Sequence, residues 1–526
     1  MFSGQDMETF EKYGHLVGSI DQGSSSTRFS VFSSKTGEML AYHQEESVIF
    51  SPSERAVEMD PKWILESTRD CMLKTAEKME NLGIHINDVK CIGITNQMLT
   101  LILWDRVTGQ PVCNAIVYSD SRGHDRHQKY ERNLSKEECS KFQKETGMPL
   151  TSLFLPIKLP WLLENIPEVK EAFDQGRLLT GTVNTWFLWS LTGGPDGGVY
   201  VTDVTNACHT GLMNLNTFTW DEHICSVFNV PTSVLPAIHS TSEIYGCIQD
   251  GPFKGIPLSG MIGDQPSATT GQLCFKPGES KCTYGTVASL NINTGTKIVS
   301  SSHGLLTSPL YQLGKGSPSV YMLEAVVASG GCVIKWIRDN LGMIETASEI
   351  EELAGSVQDT DDCYFVPAFE GFFCPYWTDD ARGVICGLNS NTTKAHICRA
   401  ALESICFQVR KVLEIAAEES GFPIPSLRAD GGMAVNSFFM QMQADILGGI
   451  VVRPFMKETT SFGAALMAGA ASGIDVFRIN ADSLGLEVEF PQKYDTFENS
   501  CSVEALEKRL KRWEKAVQKS FDWMKD

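Results

Sequence analysis

Two common nucleotide cradles are missing from this 526-residue chain: no GxxxxGK run followed by Ser or Thr occurs, and no GxGxxG follows an apolar run. Basic charge is scarce as well. Lys and Arg number 44 against 64 Asp and Glu, a net charge of −20 at pH 7. That balance excludes a general nucleic-acid or anionic-membrane binder, which needs a basic face, but leaves room for one small basic pocket. No apolar run approaches the roughly 18 residues of a membrane span. The opening MFSGQDMETFEKYG carries acids where a secretory signal has basic and then apolar residues. The 16 cysteines form no CxxC pair, and the closest spacings, Cys274 to Cys282 and Cys398 to Cys406, do not suit zinc. They read as reduced, mostly buried thiols of a cytoplasmic protein. No low-complexity linker interrupts the chain. What is present is ordinary globular composition, 42% hydrophobic and 21% charged, long enough for two large domains or three smaller ones.

Patterning places these residues in an α/β fold. HLVGSI (15–20) reads as a strand that ends in Asp21-Gln22-Gly23, and FSVF (29–32) returns as a second strand after Ser24 to Arg28. Residues 61–81 have helical periodicity, CIGIT (91–95) is a buried strand, and NAIVYSD (114–120) is another with a polar tip. Such alternation marks α/β layers. Near Pro257 the pattern restarts: GMIGDQ (260–265) again puts Asp-Gln after an apolar run, and KCTYGTVASLNINTG (281–295) reads as a second hairpin. A weak internal duplication follows, with two related domains at 1–258 and 259–526. Cys398, Leu402, Ile405, Val409, Val412 and Ala416 share one helical face, stopped by Gly421 and Pro423. Val503, Leu506, Leu510, Trp513, Val517 and Phe521 make a final amphipathic helix that packs on the second domain.

The two hairpin turns offer what the missing loops would have supplied. Backbone N–H groups and hydroxyls at 23–27 and at Gly285-Thr286 can grip phosphate, and Arg28 can add a charge-assisted bond. Asp21, at a strand tip, can hold magnesium through water. Asp264, at the second tip, can accept a hydroxyl proton during in-line phosphoryl transfer. Gly431-Gly432 before a helix lets backbone approach a flat ring. Each feature taken singly is also an ordinary turn.

DQGSSSTR, GITNQ, TGQPVCNAIVYSDSR, VTDVTNA, GDQPSA, TYGT, FVPAF, GFFCPYW, ARG and DGGMAVN occur in that order, from about residue 14 to residue 523. This series resembles the motifs of the FGGY carbohydrate kinases, and within them the glycerol kinases of eukaryotic type. The resemblance implies two actin/hexokinase-like (RNase H-like) domains with an active-site cleft between them. It implies MgATP-dependent phosphorylation of a small polyol, by default glycerol to sn-glycerol 3-phosphate, with ATP and Mg2+ as cofactors. Carried onto this sequence, nucleotide-binding residues fall on Ser24, Ser25, Ser26, Arg28, Gly285, Thr286, Gly331, Gly432 and Asn436. Asp21 falls near magnesium, Asp264 is the catalytic base, and Gln265 touches the acceptor. Relatives form dimers and tetramers, so homo-oligomerisation stays open.

The acceptor side departs from the family. Met98-Leu99 stand where the family has Arg-Glu, Leu153 replaces a Tyr, Tyr118 a Trp and Ser289 a Phe. At the nucleotide side Ser24 replaces Thr, Val287 a Gly and Lys335 a Gln. Met98, Leu99 and Leu153 therefore make an apolar wall where a diol clamp is expected. Two other readings stand beside the default one: a kinase for a less polar acceptor, and a catalytically weakened ATP-binding paralogue.

Overall fold

The computed structural model describes residues 10–480, 484–488 and 493–524. The opening segment read above for a signal lies outside them up to residue 9. The chain folds as two compact units: Met1–Phe275 with Thr307–Tyr321 and Glu458–Pro491, and Lys276–Leu306 with Met322–Lys457 and Gln492–Asp526.

The first unit is built on a six-stranded sheet. Its spatial order is Ser242–Cys247, Pro257–Gly263, Val89–Asn96, Leu16–Gln22, Ser26–Ser33 and Met39–Glu46. Pro257–Gly263, Val89–Asn96 and Leu16–Gln22 run parallel, and each remaining neighbouring pair is antiparallel. One face packs on the helix Pro61–Asn81, whose Ile64, Cys71, Met72, Ala76 and Met79 join Ile20, Phe29, Ile92 and Ile94 in a buried core. Asp60 caps that helix by accepting from Lys62 N at 2.8 Å, and Pro61 fits its first turn, where no N–H is needed.

A second helix, Thr459–Gly469, rejoins this unit from late in the chain, and all its residues but Thr460 are buried. It sits so close that a Cβ on Gly93 would overlap the Ala464 carbonyl, and one on Gly260 would lie 2.5 Å from Ala468 N. Small residues are what permit that approach. Because the obstacle is backbone, Gly93→Ala is expected to destabilise the unit by about 1–3 kcal/mol in urea unfolding.

The division differs from the expected cut at residue 258. Pro257–Gly263 pairs in parallel with Val89–Asn96, Gly263 opposite Asn96, so the strand and Asp264 after it complete the first sheet. The second sheet starts at Ser280–Tyr284, which is antiparallel to Ala288–Gly295 and parallel to Ser426–Asp430. Ile450–Pro454 and Tyr494–Glu498 extend it. In both units, therefore, a hairpin is joined by a parallel strand, and that is the repeated element. The apolar run ending in Asp-Gln at 264–265 closes the first unit instead of opening the second.

Helices of the second unit follow their sequence signals. Lys394–Ser420 begins in a capping box between Thr393 and His396 and ends at Gly421, whose φ of 77° suits glycine. In Val503–Gln518, Leu506, Trp513 and Val517 are buried, and the Trp513 ring stacks on Phe407 at 5.2 Å.

Candidate active site

Strand register gathers the first unit's candidate residues on one sheet edge. Gln22 lies opposite Asn96, and Asn96 opposite Gly263, so three parallel strands end together. The Gly23 hairpin turn and Asp264 are thus two strand spacings apart, about 10 Å. Asp21 pairs with Arg28 across the hairpin, and Gly23 N donates to Ser26 O at 2.8 Å to close the turn. Ser24 is half-buried, Ser25 exposed and Ser26 buried. Arg28 donates to Ser26 Oγ at 2.9 Å, lies 3.9 Å from Asp21 Oδ2 and forms an ion pair with Glu458.

Asp21 is buried, and desolvation raises its carboxyl above the usual range, while Arg28 and a 2.7 Å hydrogen bond from Ser461 Oγ pull it back down. A cation beside it would act in the same sense as Arg28. Among the described residues no group of three or more His, Cys, Asp and Glu side chains is placed to hold a metal directly. A lone hard carboxylate fits Mg2+, which keeps most of its water, better than a metal needing a full protein cage.

Asp264 opens the helix Asp264–Gly271, and its Oδ1 accepts from Gln265 N at 2.8 Å. Both residues are half-buried. Two contacts fix the preceding Gly263. Its N–H donates to Thr205 Oγ1 at 2.9 Å, and its Cα faces Met98 so closely that a Cβ there would overlap the Met98 sulfur.

Beneath this edge runs a chain of buried polar groups. Asp203, fully buried, accepts from Asn184 Nδ2 at 3.1 Å, Asn206 Nδ2 at 2.8 Å, Thr205 N at 2.8 Å and the Thr205 hydroxyl. Asn206 and Asn96 exchange amide bonds at 3.0 and 3.2 Å. Gln97 Nε2 then donates to Gln22 Oε1 at 3.0 Å, and Gln22 Nε2 to Gly23 O at 2.9 Å. Burial pushes Asp203 up to about 6 despite these donors.

Met98 is buried, and Leu99 adopts a left-handed φ of 68°. Leu99 lines a cavity of about 10 Å³ with Leu101, Leu155, Lys158, Thr182 and Thr210. Leu153, half-buried, does not line it. Tyr118 is 40% exposed, and its carbonyl, with that of Val117, accepts from Lys158 Nζ at 3.0 and 2.9 Å.

Burial lowers Lys158 from 10.5 to about 7. A neutral amine still has two N–H groups, enough for both carbonyls. Between those pH values the unfolded chain holds a proton that the folded chain lacks, so this group makes stability rise with pH. Lys158→Met is expected to flatten the rise in urea midpoint from pH 7 to 9; parallel curves for the two chains would contradict it.

In the second unit the residues expected to bind nucleotide also lie near one another. Gly285 N donates to Val287 O at 3.0 Å, and the carbonyls of Gly285 and Thr286 accept from Gly331 N at 2.8 Å and Cys332 N at 3.0 Å. The helix Gly331–Asp339 is thereby docked on the turn, where a Cβ at Gly331 would sit 3.1 Å from Gly285 O. Gly431, at φ 90°, packs on Tyr284 backbone, while Gly432 faces open space. Asn436 caps the helix Ser437–Leu447 through Oδ1, which accepts from Phe439 N at 2.8 Å. Val287 adopts a negative φ, so valine in place of glycine brings no backbone strain there. Lys335 is exposed and Ser289 half-buried.

Sequence reasoning missed Glu458, Ser461, Asp203, Thr205 and Asn206. The VTDVTNA run contains three of them, and the polar residues of KETTSFGAA at the start of an otherwise small, apolar helix mark the other two.

A hairpin-and-acid edge of this kind, on a chain of two such units, has a family counterpart. The model for the N-terminal domain of the FGGY family of carbohydrate kinases matches residues 16–271, and the C-terminal domain model matches residues 280–472. The chain belongs to the FGGY family of carbohydrate kinases. Within that family it is similar to the glycerol kinase of Acidiphilium cryptum, 45% identical over 97% of this chain and 99% of the relative. The probable glycerol kinase of Dictyostelium discoideum is 42% identical over 97% and 98%. Among solved structures, Plasmodium falciparum glycerol kinase with ADP superposes with a TM-score of 0.86 at 34% identity, covering 96% of this chain and 98% of that one. A xylulose kinase from Lactobacillus acidophilus shares the fold, with a TM-score of 0.79 at 20% identity over 96% of each chain. Among the described residues no helix is long and apolar enough to cross a membrane.

Proposed function

We propose that this kinase transfers the terminal phosphoryl group of ATP to a hydroxyl of glycerol, giving sn-glycerol 3-phosphate. One observation carries the reading: Asp264 and the Gly23 hairpin turn end parallel strands of one sheet, with a single strand between them. A proton acceptor and a phosphate grip about 10 Å apart leave room for a hydroxyl and a γ-phosphate in line. Full-length similarity to glycerol kinases supports the choice of acceptor.

In this reading Asp264 takes the hydroxyl proton, and Gln265 orients the acceptor beside Met98 and Leu99, with Leu153 further out. Ser24, Ser25, Ser26 and Arg28 bind phosphate oxygens. Asp21 holds Mg2+ through water, and the ion when bound supplies charge neutralisation on the phosphates. Thr286 offers its backbone N–H and hydroxyl to phosphate, on a turn whose shape Gly285 and Gly331 keep through their own backbone bonds. Gly432 and Asn436 serve the adenosine, Asn436 through Nδ2 because Oδ1 is engaged in its cap. The chain acts in the cytoplasm, and Arg28 must exchange part of its bond to Glu458 for phosphate.

Burial of Met98 against Gly263 supports a second reading, a less polar acceptor. ADP release measured over a panel of polyols and sugar alcohols separates the two. Highest kcat/KM on glycerol supports the first, and turnover confined to a less hydroxylated alcohol supports the second. ATP binding without turnover on any acceptor defeats both.

A further inference from the structure

A carboxylate without solvent is costly, and capping the short helix Val204–His209, where Asp203 accepts from Thr205 N, needs only an acceptor that asparagine would also supply. What distinguishes a carboxylate is direction. It accepts only, so each neighbouring donor must point its hydrogen inward. The Thr205 hydroxyl proton goes to Asp203, which turns a lone pair of the same oxygen toward the Gly263 N–H at 2.9 Å. Asn206 likewise commits Nδ2 to Asp203 at 2.8 Å and meets Asn96 on its other side. From this node one branch ends at the residue before Asp264, and the other passes through Gln97 and Gln22 to the carbonyl of Gly23.

We propose that Asp203, acting through Thr205, is the positioning residue for Asp264, and that its Asn206 branch fixes the phosphate hairpin at the matching distance. The inference rests on the reading of Asp264 as proton acceptor. A neutral amide at 203 can donate as well as accept, so it no longer dictates which way the Thr205 hydroxyl points. The Gly263–Asp264 junction then keeps its packing on Met98 but loses its directed polar anchor. Neither Asp203 nor Thr205 touches substrate in this account. Both act on where Asp264 stands.

The test uses the full chain with MgATP and glycerol. Thr205→Val keeps the side-chain shape and removes the hydroxyl. It is expected to lower kcat about 100-fold, the scale of a displacement near 1 Å, with both KM values and the ATP Kd within about threefold. Thr205→Ser is expected to recover kcat to within about threefold of the parent. Valine with parental kcat, or serine as poor as valine, overturns the proposal. Should the valine chain not fold, Asp203→Asn carries the same comparison, with the same loss of kcat expected and parental kcat overturning. Asp264→Asn is measured alongside. If it retains turnover, the underlying reading falls; if it is inactive while Thr205→Val is not, only the positioning role falls.

Discussion

Asp264→Asn is expected to lower kcat by about 10²–10⁴-fold, the usual worth of a general base, with ATP affinity unchanged within a few-fold. The substitution conserves volume and can still accept from Gln265 N, as Oδ1 does now at 2.8 Å. The helix start and its neighbours therefore stay in place. What disappears is the capacity to take a proton from an attacking hydroxyl. ATP affinity is unaffected because the phosphate hairpin lies two strands away and is held by its own contacts from Ser26, Ser47 and Glu458. Calorimetric titration of ATP, paired with glycerol-dependent ADP release, reads both quantities. Undiminished turnover would remove Asp264 from its assigned role, and a parallel collapse of ATP affinity would show that the carboxylate serves binding.

Local signals in the chain were readable because they depend on near neighbours. Pro61–Asn81 and Lys394–Ser420 follow from periodicity, caps and glycine stops, and both hairpins follow from hydroxyl- and glycine-rich turns between apolar runs. Partnership of strands was not readable. Pro257–Gly263 has the apolar run and terminal Asp-Gln of the first strand, so it looks like the start of a second copy. Its parallel pairing with Val89–Asn96 is a long-range fact that no spacing encodes. The same holds for the contact from Ser461 to Asp21, which joins residues 440 positions apart. Thr205 and Asp203 were visible within a motif, but the motif could not say which strand end they support. Sequence grouped Leu153 with Met98 and Leu99, but no spacing could show that Leu155 shares a cavity with Leu99.

Restoring the family pair, Met98→Arg with Leu99→Glu, is expected to raise kcat/KM for glycerol. Two charge-assisted hydrogen bonds at about 1.5–3 kcal/mol each give roughly 3–6 kcal/mol, or about 10²–10⁴-fold. The structure indicates how that gain divides between the sites. Met98 covers Gly263, so arginine must keep its alkyl stem over that glycine while its guanidinium extends past it. Leu99 already holds a left-handed φ of 68°, a cost borne by leucine and glutamate alike, so exchange there adds no new backbone strain. A carboxylate introduced at position 99 would enter the surroundings of Lys158, which burial now holds down near 7, and would favour its charged form. Glutamate alone thus risks turning inward to Lys158, whereas beside an arginine it is drawn to the acceptor side. The double variant is therefore expected to exceed the product of the single effects, which a four-chain cycle of kcat/KM values measures. Gain from Leu99→Glu alone equal to that of the pair would place the clamp on Lys158. No gain in any variant would mean that other side chains already hold glycerol's hydroxyls, and that Met98 serves chiefly to press Gly263, and with it Asp264, into place.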